Sequence, residues 1–195
     1  MNPGNLNRRL TLLRAAGERE VVWGEVRKVW AAVTEGKSGL IAPNAVKTPA
    51  IEAVIRGSDV TEADALTFAG EHYLITGVLK TADHPVYLKV TAVQSPVYTA
   101  RLLRPEKRVN GYGATVWEPA ETGSTVCCLS ERYIKSQDAR GRDETDTGLL
   151  MVTPKLCTLG EGDSVEVLSA RWKVTMAYTM DRYKNRYQIE RVKDN

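Results

Sequence analysis

Apolar and polar residues along this chain alternate with a period of two rather than 3.6, which is the pattern of half-buried strands. Arg9–Leu13 reads as a short strand, Trp23–Val33 as a longer β-branched and aromatic one, and Ala53–Ile55 as a third. Leu66–Phe68 and Tyr73–Thr76 are separated by Ala69-Gly70-Glu71-His72, a hairpin signal, because glycine supplies the positive φ of a tight turn. Tyr87–Val93 alternates cleanly. Strands at this spacing without a sustained helical stripe predict an all-β fold of sandwich or barrel type. The stretch Gly36–Pro49 interrupts the pattern with Gly36, Gly39, Pro43, Asn44 and Pro49. It predicts a long loop, with room for a short helical turn around Ser38–Ala42.

The pattern then starts again. Glu62-x-Asp64-Ala65-Leu66-x-Phe68 and Tyr73-x-Ile75-Thr76 match Glu161-x-Asp163-Ser164-Val165-x-Val167 and Trp172-x-Val174-Thr175 at a constant separation of 99 residues. Val22-Trp23 answers to Val116-Trp117 at 94, and Leu12-Leu13-Arg14 to Leu102-Leu103-Arg104 at 90. A separation that grows in one direction is what small loop insertions produce, and loops accept extra length at little cost. The reading is a tandem duplication of one small β-barrel domain, residues 1–95 and 96–195, each with one long loop and little helix. The join falls at Gln94-Ser95-Pro96, where proline stops ladder pairing. Tyr73 and Trp172 are large residues expected to point inward at matching places, and the acidic pairs before each hairpin favour a turn.

Composition narrows the chemistry. The formal net charge is +3, from 27 Lys plus Arg against 24 Asp plus Glu, which is close to balance and unlike a strongly basic nucleic-acid binder. Apolar runs fall far short of the ~20 residues that span a bilayer, and the first residues have no apolar signal region. No membrane association is therefore expected. Three cysteines, Cys127, Cys128 and Cys157, fit a chain made in a reducing cytoplasm. Cys127 and Cys128, adjacent in a strand, point to opposite faces and read as buried structural thiols rather than joint metal ligands. With two histidines and none of the usual metal, phosphate or nucleophile motifs, no metal, no cofactor and no enzymatic activity are expected. His72, at a turn, and His84, before Pro85, are read as exposed.

Asn5-Leu6-Asn7-Arg8-Arg9-Leu10-Thr11-Leu12-Leu13-Arg14 resembles the opening of the head–tail joining proteins of tailed phages, also called head closure or stopper proteins. Val22-Trp23 and Val29-Trp30-Ala31-Ala32-Val33 are similar to that family's Trp-Ala strand, and Val60–Thr76 with Tyr87–Val93 to its last hairpin and strand. Asn110-Gly111-Tyr112-Gly113 followed by Val116-Trp117-Glu118-Pro119 is similar to its first turn and second strand, so the resemblance covers most of the chain twice. The second copy departs from it in having Thr125-Val126-Cys127-Cys128 in place of the Trp-Ala pair, and the chain departs in being two units long. The resemblance implies a structural virion protein, made in the bacterial host cytoplasm. It would form a homo-oligomeric ring in the phage neck that closes the DNA-filled head and joins the portal or adaptor to tail proteins. Packaged DNA would pass through its channel. It also implies that the long loop lines or plugs that channel: Glu35–Thr48, with Lys37, Ser38, Asn44 and Lys47, and its counterpart Ser136–Asp146, with Gln137, Asp138, Arg140 and Arg142. Mixed charge there suits a surface past which DNA slides.

Other residues admit two readings. Arg8 and Arg9 suit contact with a partner ring or DNA, or a solubilising start to an edge strand. Trp23, Trp30, Trp117 and Trp172 read first as core, and as interface anchors second. Arg182-Tyr183-Lys184-Asn185-Arg186-Tyr187 reads as a solvated hairpin tip or as a basic–aromatic nucleic-acid platform. Arg182, Lys184 and Arg186 are thus candidate partner contacts, and with Arg101, Arg104, Lys107 and Arg108 they support an alternative, a double β-barrel nucleic-acid-binding module of OB type. Another neck ring, an adaptor or tail terminator, is a related alternative. Asp143, Glu144 and Asp146 are expected to pair with Arg140 and Arg142 rather than hold a cation.

Overall fold

The computed structural model describes residues 6–57, 59–80, 86–132 and 148–192, together with the backbone of 134–137 and 143–146. His84, Asp138, Arg140 and Arg142 lie outside the described residues. The strands are β1 (Arg8–Ala16), β2 (Glu20–Gly39), β3 (Thr48–Arg56), β4 (Ala65–Phe68), β5 (Glu71–Lys80), β6 (Tyr87–Gln94) and β7 (Val97–Val109). They continue as β8 (Thr115–Glu131), β9 (Ile134–Gln137), β10 (Asp143–Asp146), β11 (Leu149–Pro154), β12 (Ser164–Val167), β13 (Ala170–Tyr178) and β14 (Lys184–Arg191). The described residues contain no helix, in line with the two-residue periodicity.

Strand β1 pairs with β2, β2 with β3, β3 with β6, β6 with β5, β5 with β4, and β4 returns to β1, every ladder antiparallel. The sheet closes into a six-stranded barrel, which removes open edges along the closed part of each strand. Its core is the inward set of the alternation, including Leu10, Leu12, Ala31, Ala53, Ile55 and Val90. Strands β7, β8, β11, β14, β13 and β12 pair in that order, also antiparallel, and β12 pairs with β7. They enclose Ala100, Cys127, Met151, Val165, Val174 and Tyr187. A two-residue parallel ladder, Glu20–Val21 against Ser124–Thr125, joins β2 to β8. A third apolar cluster lies where the earlier and later strands meet and includes Ile41, Ala42, Leu74 and Val93 with Cys128, Leu150 and Val152. The connection between β6 and β7 is Ser95-Pro96 alone, and Ser95 is buried, its N–H donating to the His72 carbonyl at 2.9 Å.

Four expectations change. The long first loop is shorter than expected, since β2 runs on to Gly39 and β3 starts at Thr48, and the helical turn expected at Ser38–Ala42 is absent. The remaining connection, residues 40–47, is held down because Ile41 and Ala42 are buried. Its later counterpart contains an antiparallel ribbon, β9 against β10. Trp23 and Trp117 do not correspond: Trp23 faces Ala15, three residues past Leu12, whereas Trp117 faces Lys107, five residues past Leu102. Finally, His72 is part of β5 and half-buried, its Nδ1 3.0 Å from the Ser95 carbonyl and its ring 6.0 Å from that of Trp23. Burial lowers its pKa.

Candidate interaction surface

The candidate residues separate into an exposed set and a buried one. Arg8 and Arg9 are exposed on β1, and the Arg9 guanidinium stands 5.7 Å from the Trp30 ring centroid, its cross-strand neighbour. Lys37 and Ser38 are exposed near the end of β2, and Asn44 and Lys47 in the connection that follows. Asn44 has a φ of 65°, which asparagine tolerates in a turn. That connection does not hang free: Ala45 bridges to Arg132, and the Ser130 hydroxyl accepts from the Val46 N–H at 3.0 Å. Gln137 lies in β9.

The stretch Arg182–Tyr187 is a hairpin tip only at its start, at Arg182 and Tyr183, and turns inward from Lys184. Arg182 is exposed, its guanidinium 5.6 Å from the Tyr183 ring centroid, but Lys184 is 7% exposed and Tyr187 0%. Arg186 is half-buried and paired with Asp181 at 2.6 Å. From Lys184 the stretch is part of β14, an inner strand between β11 and β13, and Lys184, Asn185 and Tyr187 are buried. Arg101, Arg104 and Arg108 are likewise each engaged by carboxylates.

Lys184 has a structural role. Its Nζ donates to the carbonyl of Ile75, beside the bulge of β5 where the ladder to β6 shifts. Burial lowers its pKa to about 8 against the pull of Glu62 and Asp181, with Arg186 adding to the lowering. Between about pH 8 and the ordinary value of 10.5 the unfolded chain holds this proton and the folded chain does not, so stability from this group rises with pH across that window. Lys184→Met removes that dependence. Wild type is expected to gain on the variant by up to about 3 kcal/mol from pH 8 to 10.5, with little or no advantage at pH 7. Paired denaturation curves at pH 7, 8.5 and 10 check this, and a difference that stays flat with pH contradicts it.

Two arginine–aspartate clips tie an acidic turn to a strand, Asp64 to β1 and Asp163 to β7. Asp64 accepts from Arg14 Nε at 2.7 Å and from the Thr61 N–H at 2.8 Å, while Arg14 also donates to the Asp59 carbonyl at 2.8 Å. Arg104 stands 3.5 Å from Asp163, which accepts from the Gly160 N–H at 2.9 Å, and Arg104 donates to the Thr158 carbonyl at 3.0 Å. The acidic turns read from the sequence thus recur as the same contact.

One strongly exposed surface lies outside the tryptophan reading. The β7–β8 ladder runs out to Val109 opposite Thr115 and forms an arm. Asn110 Oδ1 accepts from the N–H groups of Tyr112 and Ala114 and closes its tip. Tyr112 is 98% exposed, Val109 72% and Trp117 63%, the last with Lys107 Nζ 5.1 Å from its ring centroid. Trp30 is 57% exposed and Trp23 and Trp172 are half-buried, so core packing describes only the latter two. The signal was present only in part: Asn110-Gly111 marks the turn, but the loop runs on to Ala114, and that longer loop is what sets Trp117 opposite Lys107.

Beside Trp30 lies a groove of about 490 Å³ lined by Leu6, Arg27, Lys28, Val29, Trp30 and Arg56. There β2 pairs with β1 on one side only, because its ladder to β3 begins at Ala31. Among the described residues nothing pairs with the other side of Lys28 and Val29.

Among the described residues no three or more His, Cys, Asp or Glu side chains come together as metal ligands. Cys127 faces the later core and Cys128 the cluster where the two sets of strands meet, on opposite faces of β8 as the strand geometry requires. Burial raises both thiols, Cys128 to about 11, which keeps it protonated. No protein family, curated protein or solved structure matches this chain.

Proposed function

We propose that the chain is one six-stranded barrel repeated in tandem, and that it serves as a structural subunit of a ring in the neck of a tailed-phage particle. The observation that carries the duplication is register. Leu12 faces Leu66 and Leu102 faces Val165; Leu66 faces Tyr73 and Val165 faces Trp172. The bulges recur as well, at Val26 and Thr122 in β2 and β8, opposite Leu12-Leu13 and Leu102-Leu103, and around Thr76 and Thr175 in β5 and β13. The arginine–aspartate clip recurs at the same place. Unrelated barrels have no physical reason to share two bulges and an ion pair.

The neck reading rests on the family resemblance and on the kind of surface the chain carries. Its exposed aromatic residues stand on an arm and beside an unpaired strand edge, which are devices for gripping neighbours side to side, as a cyclic ring requires. A closure, an adaptor and a terminator ring of the neck all fall under this reading.

Negative-stain imaging of particles labelled on this protein is expected to show a ring at the head–tail junction, and its absence from particles would refute the proposal. Against the nucleic-acid alternative, Lys184 and Tyr187 of its basic–aromatic stretch are buried. Under the ring reading, binding to single- or double-stranded DNA is expected to be weak even at low salt. Tight binding that falls steeply with added salt would favour the alternative.

A further inference from the structure

We propose that the β7–β8 arm of one copy pairs with the open edge of β2, at Lys28 and Val29, in the next copy, repeating between chains the contact already made once within the chain. The inference rests on the tandem reading above. Inside one chain, the start of β2 lies on β8: Glu20 and Val21 run parallel to Ser124 and Thr125, and the Arg19 carbonyl accepts from the Ser124 N–H at 2.7 Å. Register identifies the same edge in the earlier barrel. Ser124 and Thr125 face Arg101 and Ala100, just as Lys28 and Val29 face Thr11 and Leu10. The later edge is therefore covered by the hairpin tip of the earlier barrel, while the equivalent earlier edge is open and bordered by a groove.

The segment that would cover it is identified in the same way. Gly24 faces Arg14 and Ala120 faces Arg104, so Glu20 and Val21 correspond to Val116 and Trp117 on the arm. Val21 is 3% exposed because it is docked; Trp117, in the corresponding place, is 63% exposed. Val116 and Trp117 would run parallel to Lys28 and Val29, with Trp117 entering the groove beside Trp30. One difference limits the match. A Cβ on Gly123 would meet the Arg19 carbonyl oxygen at 2.2 Å, and Arg27 holds the place of Gly123. The incoming strand therefore sits farther out at that point, and pairing runs along Lys28 and Val29 without reaching Arg27. Arm and edge are different surfaces, so the contact is heterologous and propagates from copy to copy until it closes into a ring.

The test uses the full chain. Sedimentation of the wild type over rising concentration is expected to show association. Trp117→Ser is expected to weaken it about thirtyfold, as loss of a buried aromatic anchor does, with an unchanged melting temperature because Trp117 is exposed within one copy. In parallel, Lys28→Cys protein is mixed with Val116→Cys protein and treated with a short bismaleimide, the native thiols being buried. Cross-linked dimers are expected from the mixture and from neither variant alone. Association that is indifferent to Trp117→Ser and gives no mixed cross-link overturns the arm contact and leaves the ring reading standing on other surfaces. A chain that stays monomeric and uncross-linked at every concentration also overturns it, and the ring reading is then judged separately on the particle.

Discussion

Asp64→Ala is expected to lose about 3–4 kcal/mol of unfolding free energy and Asp163→Ala about 1 kcal/mol, although both break the same clip. Asp64 is 0% exposed and accepts from Arg14 Nε and Nη2, at 2.7 and 3.1 Å, as well as from the Thr61 N–H. Removing its carboxylate leaves the Thr61 donor without its acceptor and lets the Asp59–Asp64 turn drift from β1. Asp163 is partly exposed, and Arg104 is farther from it, at 3.5 Å. Water takes over more of what that pair supplies, as it does for ion pairs near a surface. Urea denaturation of the two variants beside wild type decides the matter. Equal losses would mean that the clip works by charge alone and that burial adds nothing.

Gly123→Ala is expected to cost about 3 kcal/mol or more, whereas Gly111→Ala on the arm changes stability by less than about 0.5 kcal/mol. A Cβ on Gly123 would lie 2.2 Å from the Arg19 carbonyl oxygen and 3.1 Å from its carbon. Both obstacles are backbone, so neither can swing aside as a side-chain end does. The Arg19–Ser124 hydrogen bond and the two-residue ladder beyond it must open. At Gly111 nothing lies within 4 Å of the added atom. Thermal melts give the comparison, and limited proteolysis near Arg19 reports whether the crossing has opened. A Gly123→Ala chain as stable as wild type would show that the β2–β8 crossing contributes little to holding the strands together.

Much of the architecture was legible in the chain. The alternation in Tyr87–Val93, the Ala69-Gly70 turn and the repeated Glu-x-Asp before each hairpin all describe local geometry, and the strands and turns stand where those patterns placed them. The later turn is a harder case: Leu168 and Ser169 carry φ values of 53° and 57° without a glycine, so only the match to Ala69-Gly70 revealed it. The long first loop misled because glycines and prolines were read as breaks. Gly36 and Gly39 instead lie within β2, which bulges between them, and a Cβ on Gly39 would meet Val93 Cγ2 at 2.5 Å, so close approach to β6 explains that glycine.

The candidate surface was less legible, for a single physical reason. Alternation tells which residues share a face of a strand but not what covers that face. Arg182–Tyr187 has the composition of a surface, yet Lys184, Asn185 and Tyr187 are buried and Lys184 reaches a carbonyl of β5. Trp30 and Trp117 have the composition of a core, yet they stand in water beside Arg9 and Lys107. The order of residues alone determined the strands, their turns and the doubling of the pattern, because these follow from backbone conformation and from spacing along one chain. The tertiary structure alone decided which cations were buried, which aromatics were left exposed and which strand edge stayed open among the described residues, because each depends on a surface supplied by residues distant in sequence.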